Sequence, residues 1–173
     1  MPEIDLDDVQ RPLLVRPLVP EDVDAVVRLQ QSGFPGMRPW TRGEFEAHLA
    51  ACPEGQVGVE IEGQLVASSS SLIMDLDEFA GAHSYDRISG GGMLSTHDPE
   101  GDTLYGIDVF VKHEFRGLRL GRRLYDYRKE LCEKKNLKGI VFGGRIPGYH
   151  EQSETMSPNE YITKVRDWEI HDH

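Results

Sequence analysis

Alternation of apolar and polar positions marks the strands of this chain. Leu13, Val15 and Leu18 begin a first strand, and Val57, Val59 and Ile61 a second. Glu62-Gly63 reads as a tight turn into a long return strand, Leu65 to Met74, so these two runs form a hairpin. Thr103 to Val111 carries the alternation furthest, with Tyr105, Ile107, Val109 and Val111 on one face and Leu104, Gly106, Asp108 and Phe110 on the other. A short apolar run, Gly139 to Gly143, predicts a buried strand.

Helical spacing fills the gaps. Pro20-Glu21-Asp22 starts a helix that Val23, Val26, Val27 and Gln30 continue. Thr41 and Glu44 make a capping box ahead of Phe45, His48 and Leu49. Leu120, Leu124, Tyr127 and Leu131 form a stripe suited to packing on a sheet. A last helix, capped by Ser157-Pro158-Asn159-Glu160, carries Tyr161, Ile162 and Val165. Strand, helix and strand from Thr103 to Gly143 constitute a βαβ unit, which predicts parallel pairing of its two strands.

Two stretches resist regular structure. Ser32 to Trp40, with Gly33, Pro35, Gly36 and Pro39, reads as a loop presenting Phe34, Met37 and Trp40. Asp75 to Asp102 is a long, acidic, glycine-rich excursion, a candidate lid or acceptor-binding segment whose acids Asp75, Asp77, Glu78 and Asp86 suit a cationic amine or simply solvate the loop. Residues 1–10 read as a flexible acidic lead-in and residues 11–173 as one domain.

Composition narrows the class. With 173 residues, 38% apolar content and 28% charge, the chain suits one α/β domain. No apolar run approaches the roughly 20 residues needed to span a bilayer, and the acidic start is unlike a signal peptide, so the expectation is a soluble, cytoplasmic protein without a membrane partner. Cys52 and Cys132 lack CxxC spacing and read as reduced thiols. His83, His97, His113 and His150 show no metal-ligand spacing, the terminal His171 and His173 read as a frayed end, and no metal is expected. Ser68 to Ser71 has no nucleophile-elbow pattern and reads as a polar strand segment.

Charge is unevenly spread. Lys112 to Lys138 holds ten basic residues against four acids, +6 in a chain of −11, which leaves −17 elsewhere. The positive charge surrounds Phe115-Arg116-Gly117-Leu118-Arg119-Leu120-Gly121-Arg122-Arg123, a glycine-punctuated turn opening the third amphipathic helix. Backbone N–H groups at a helix start carry partial positive charge, and glycine lets them approach an anion, so the turn is built like a phosphate cradle. A small polyanion suits this field better than a nucleic acid, which the acidic remainder repels and for which no aromatic stacking platform is interleaved. The plainer reading of the same charges is a solvated helix face.

Strand, Arg-x-x-x-x-Gly turn, helix and strand at this spacing resembles the core of the GNAT superfamily of acetyl-CoA-dependent N-acetyltransferases, over about residues 11–170. Arg116, Gly117 and Gly121 match that family's turn, while Arg119 stands where its pattern has glycine. Gly143-Gly144-Arg145-Ile146-Pro147-Gly148-Tyr149-His150, Met156-Ser157-Pro158 and Glu160-Tyr161 are similar, more narrowly, to a GNAT-like domain fused ahead of a carbon-nitrogen hydrolase in some bacterial proteins. The resemblance implies a mixed central sheet flanked by helices. It also implies two further strands after the last helix, so a truncated chain, or a sheet completed by a partner, is expected; the open edge at Gly139 to Gly143 admits a homodimer.

For chemistry, the resemblance implies acetyl-CoA as co-substrate and a small-molecule or protein amine as acceptor. Its pantetheine arm would pair with the backbone of Val109, Phe110 and Val111, and its diphosphate would rest on Leu118, Arg119, Leu120, Gly121 and Arg122, beside Arg116 and Gly117. The N–H of Val109 or Phe110 is the expected oxyanion donor, Asp108 the general base and Tyr149 the proton donor to the thiolate. Asp108 as a structural acid satisfied by Arg145 or backbone, and Tyr149 as a packed aromatic, are the bland alternatives. A catalytically weak acyl-CoA-binding regulatory or docking module is the alternative function.

Overall fold

The computed structural model describes residues 12–33, 36–79, 84–144 and 146–171; the acidic lead-in over 1–10, Phe34, Pro35, His83, Arg145 and His173 fall outside them. Two compact units divide the chain, Met1–Phe142 and Gly143–His173.

In the first unit, strand β1 (Leu13–Pro17) leads through a single 3-10 turn, Pro20–Asp22, into α1 (Val23–Gly33). Helix α2 (Arg42–Ala51) starts on the expected capping box, with the Glu44 N–H donating to Thr41 Oγ1 at 3.2 Å and the Thr41 N–H to Glu44 Oε2 at 2.7 Å. The hairpin of β2 (Gln56–Ile61) and β3 (Gln64–Met74) turns at Glu62 and Gly63, both left-handed with φ of 52° and 77°, the conformation a two-residue hairpin requires. Helix α3 (Tyr85–Ser89) precedes β4 (Thr103–Val111), which ends in a turn that opens α4 (Leu120–Lys134), and β5 (Gly139–Phe142) closes the sheet.

The five strands lie in the order β1-β2-β3-β4-β5, antiparallel except for the β4–β5 pair, which is parallel as the βαβ unit requires. One apolar layer places Leu120 and Leu124 of α4 against Val57, Val59, Val66 and Ala67, with Leu131 continuing it over Ile73 and Leu104. The opposite layer gathers Val23, Val26 and Leu29 of α1 and Phe45 of α2 around Phe110, and Ile88 and Leu94 around Leu72, Met74 and Tyr105. Phe45 and Leu124 are fully buried, a burial that contributes about 1.5–3 kcal/mol each.

Three sequence expectations change. The alternation along β4 breaks at Ile107: Ser70 opposes Asp108 but Ser71 opposes Gly106, so β4 carries one extra residue there. A bulge of this kind reverses every side chain beyond it, and Val109 and Val111 therefore join the α4 layer with Leu104, whereas Phe110 joins the α1 layer with Tyr105. Strand β5 is half-buried rather than buried, with Phe142 49% exposed, because it is an edge strand. The excursion after β3 is pinned by Ile88 and Leu94, both fully buried, so the part of it carrying α3 is a wall rather than a loose lid.

The second unit holds a 3-10 segment, Pro147–Glu151, and α5 (Pro158–Arg166), whose capping box of Ser157 and Glu160 forms as expected. The Tyr149 ring meets that of buried Tyr161 edge-on at 5.6 Å.

Candidate active site

Strand β4 serves two structures at once. Its pairing with β5 stops at Gly106 and Phe142, while pairing with β3 continues to Val111. Among the described residues Ile107 to Val111 lies beyond the last β4–β5 pair, and that stretch includes the three residues expected to pair with pantetheine.

At the end of the strand, a 3-10 turn at His113–Phe115 leads to Arg116 and then Gly117, whose φ of 88° is left-handed. Arg119 is the residue before α4 and is also left-handed, with φ of 58° and ψ of 27°. That explains the glycine of the family's pattern at this position: the backbone bends there in a conformation costing an ordinary residue about 1–2 kcal/mol. Here an arginine bears that cost. The first helical bond runs from the Arg123 N–H to the Arg119 carbonyl, so the N–H groups of Leu120, Gly121 and Arg122 precede it.

The turn suits an anion. A Cβ built on Gly121 would meet nothing within 4 Å, so no packing inside the chain demands a glycine that weakens a helix by about 1 kcal/mol relative to alanine. The space above it is open to a ligand. Arg116, Arg119, Arg122 and Arg123 are exposed, and among the described residues none of them forms an ion pair.

On the other side of β4 lies a cavity of about 250 Å³. Ile107, Asp108 and Phe110 form its floor, Gln30 of α1, Glu44 of α2 and the intervening Met37, Arg38 and Trp40 one wall, and Tyr85, Asp86, Gly91 and Gly92 another. The bulge is what turns Asp108 toward it. Asp108 Oδ1 accepts from the Ser70 N–H at 3.0 Å. Burial pushes the Asp108 carboxyl up to about 7, against the opposing pull of Arg128 and of the Ser70 hydrogen bond.

Several groups here were invisible as site residues in the sequence. Glu44, read there only as a helix cap, also receives both Nη atoms of Arg38, at 2.9 and 2.6 Å, and this pairing holds its carboxyl down at about 2 despite burial. Burial raises the Tyr85 hydroxyl above the usual phenol range, a rise that Trp40 opposes and Asp108 and Glu44 reinforce. His48 is fully buried behind the cavity, with Nε2 2.7 Å from the Gly92 carbonyl and its ring edge-on to Trp40 at 4.3 Å. Desolvation lowers its basicity, and because a carbonyl can only accept, Nε2 carries the proton of that contact.

The largest surprise is Arg128, counted in the sequence among the positive charges around the cradle. It is 2% exposed and lies under the sheet, where Nε donates to Ser71 Oγ at 2.9 Å and Nη2 to the carbonyls of Ser70 at 2.9 Å and Asp108 at 2.7 Å. The field over the cradle loses one of its ten cations accordingly. The partner foreseen for Asp108, Arg145, lies outside the described residues; Arg128 supplies the opposing charge instead. The serine run that looked like a polar strand face is buried, and part of it serves this arginine.

In the second unit the Tyr149 hydroxyl donates to the Met156 carbonyl at 3.0 Å. That is the contact expected of the packed-aromatic alternative.

The model of the acetyltransferase (GNAT) family matches residues 23–147. The chain belongs to the GNAT family. Its mixed sheet flanked by helices is the GNAT fold. Over 170 residues this GNAT is 39% identical to "Probable hydrolase YhcX" of Bacillus subtilis (strain 168), covering 98% of the chain but only 33% of that relative, consistent with the fused-domain resemblance. "Uncharacterized N-acetyltransferase YkwB" of the same organism is 29% identical over 157 residues, covering 88% of this chain and 70% of YkwB. Among solved structures, the loading GNATL domain of CurA from Lyngbya majuscula superposes with a TM-score of 0.76 at 19% identity, over 87% of this chain and 73% of the other. The GphF GNAT-like decarboxylase in complex with isobutyryl-CoA gives 0.71 at 19% identity, over 87% and 75%. Among the described residues, no helix is long and apolar enough to cross a membrane.

Proposed function

We propose that this GNAT is an acetyl-CoA-dependent N-acetyltransferase acting on a small cationic amine. The observation that carries the reading is the placement of Asp108. It lies beyond the last β4–β5 pair, faces a cavity of about 250 Å³, and belongs to the strand that ends at an open, arginine-lined helix start.

Acetyl-CoA supplies the activated thioester. The backbone of Val109, Phe110 and Val111 offers its hydrogen-bonding edge to the pantetheine amides, and Leu118 to Arg122, with Arg116 and Gly117, hold the diphosphate. Asp108, poised near neutrality, takes the proton from the incoming ammonium, because only the neutral amine is nucleophilic. The N–H of Val109 or Phe110 stabilises the developing oxyanion. Among the described residues that line the cavity, Glu44, Asp86 and Asp108 are acidic and Arg38 is basic, and Glu44 already holds Arg38, which supports a cationic acceptor. Tyr149 remains the nominated donor to the thiolate; Tyr85, which lines the cavity itself, is a second one that the fold adds.

Calorimetric titration of acetyl-CoA, followed by an amine screen with Asp108→Asn as control, tests this. Binding with transfer to a small amine, abolished by Asp108→Asn, supports the reading; binding without transfer to any amine overturns it in favour of a weakly catalytic acyl-CoA-holding module. A relative that bears a hydrolase name and of which this chain spans only a third favours that second reading. The cytoplasm is the proposed location, and pairing of two β5 edges the proposed route to a homodimer.

A further inference from the structure

Beneath Asp108, on the face of β4 opposite the cavity, the buried Arg128 is an expensive feature. Removing a guanidinium from water costs several kcal/mol unless strong partners replace the solvent. Its partners are a hydroxyl and two carbonyls, all at the point where the β3–β4 ladder slips. Among the described residues no carboxylate lies in salt-bridge range of it, and the Tyr125 ring is 5.2 Å from Cζ. Gly106 makes the seat, since a Cβ there would stand 2.9 Å from Nη1 and 3.0 Å from Cζ. A glycine, a serine hydroxyl and two carbonyls from different strands thus converge on one cation.

We infer that Arg128 is a positioning residue for the transfer reaction: by bridging Ser70 O, Ser71 Oγ and Asp108 O it fixes the bulge that turns the Asp108 carboxylate into the cavity. The inference rests on the reading of Asp108 as base. A bulge leaves one residue outside the ladder and its neighbours short of partners, and Arg128 donates to the carbonyls on both strands at that site. With the backbone held, the Ser70 N–H is aligned on Asp108 Oδ1 at 3.0 Å. The fixed positive charge also favours the ionised carboxylate, offsetting part of the burial that opposes it. Among the described residues, the other charged and titratable groups that share Asp108's cavity are Glu44 of α2, Arg38 ahead of it, and Tyr85 and Asp86 of α3. Glu44 neutralises Arg38, so among the described residues Arg128 is the unneutralised cation acting on Asp108.

The test is a carbon-detected titration of aspartate carboxyls in the full chain, with Asp108→Asn for assignment, in wild type, Arg128→Met and Arg128→Lys. The midpoint of Asp108 rises by about one pH unit or more in Arg128→Met, the size of shift a close charge produces, and stays near the wild-type value in Arg128→Lys, which keeps the charge. Amide exchange at Ser70 and Asp108 accelerates in both variants, because neither spans three acceptors. An unmoved midpoint in folded Arg128→Met overturns the inference. If that variant does not fold, unaccelerated exchange at Ser70 in Arg128→Lys overturns it instead. Neither readout needs the acceptor, so an Asp108→Asn variant that still transfers acetyl groups at full rate would remove the base reading and leave the titration result intact.

Discussion

Arg119 and Arg128 sit nine residues apart, at the head and in the body of the same helix, and the fold uses them in opposite ways. Arg119 is exposed, bent into the left-handed region, and leaves its guanidinium free to meet an anion arriving from solvent. Arg128 is buried, regular in backbone, and spends its donors on the strands beneath. An exposed cation interacts through a high-dielectric, salt-screened medium, so its loss costs little stability and some affinity. A buried one cannot be lost without leaving carbonyls unsatisfied.

That contrast breaks first at Arg128. Arg128→Ala leaves two carbonyls and a hydroxyl without their donor and a void in the core, and it should lower unfolding free energy by about 3–5 kcal/mol in urea titrations. A variant as stable as wild type would show that the cation is replaceable by water. Next comes the cradle. Gly121→Trp fills the open space at the helix start and should weaken acetyl-CoA binding at least tenfold, about 1.4 kcal/mol, with an unfolding midpoint near that of wild type. Arg116→Ala is expected to weaken binding less and to flatten its dependence on salt. Equal affinities across wild type and both variants would place the diphosphate elsewhere.

A pH series sharpens the same distinction between buried and exposed charge. Because burial raises the Asp108 carboxyl from 3.8 to about 7, the folded state holds a proton that the unfolded chain has lost. Asp108 therefore subtracts stability progressively as pH rises from about 4 to 7, while acetyl transfer should climb over the upper part of that window. Glu44 has the opposite sign. Arg38 holds its carboxyl at about 2 rather than 4.5, so its contribution is complete above pH 4.5 and is lost as pH falls toward 2. A transfer rate flat between pH 6 and 8 would exclude Asp108 as the base. The smallest effect belongs to Arg119→Gly, which relieves the left-handed backbone and should raise stability by about 1 kcal/mol in thermal unfolding, with a small, salt-dependent loss of acetyl-CoA affinity. A large affinity loss in that variant would instead assign the Arg119 side chain a direct contact.

Much of this was legible in the chain itself. Periodicity located β4 residue for residue, and the capping signatures of Thr41 with Glu44 and of Ser157 with Glu160 placed two helix starts, because both signals are short-range and written in adjacent residues. The basic turn after β4 was equally readable, since its glycines and arginines are contiguous. The walls of the cavity were not. Arg38, Glu44, Tyr85 and Asp86 come from three separate segments, and no spacing rule connects them. Neither was the fate of Arg128, which at helical spacing looks like any of its exposed neighbours, Lys129 and Glu130.

What the sequence determined by itself is the five strands and the helices other than α3, their order, the parallel β4–β5 pair and the cationic turn, all consequences of local sterics, hydrogen bonding and apolar spacing. Tertiary structure alone decided which way Asp108 points and which charge faces it. A single extra residue in the β3–β4 ladder reverses the strand's faces beyond it, and that slip depends on how two strands about 40 residues apart pair, and on a cation from a helix packed across them.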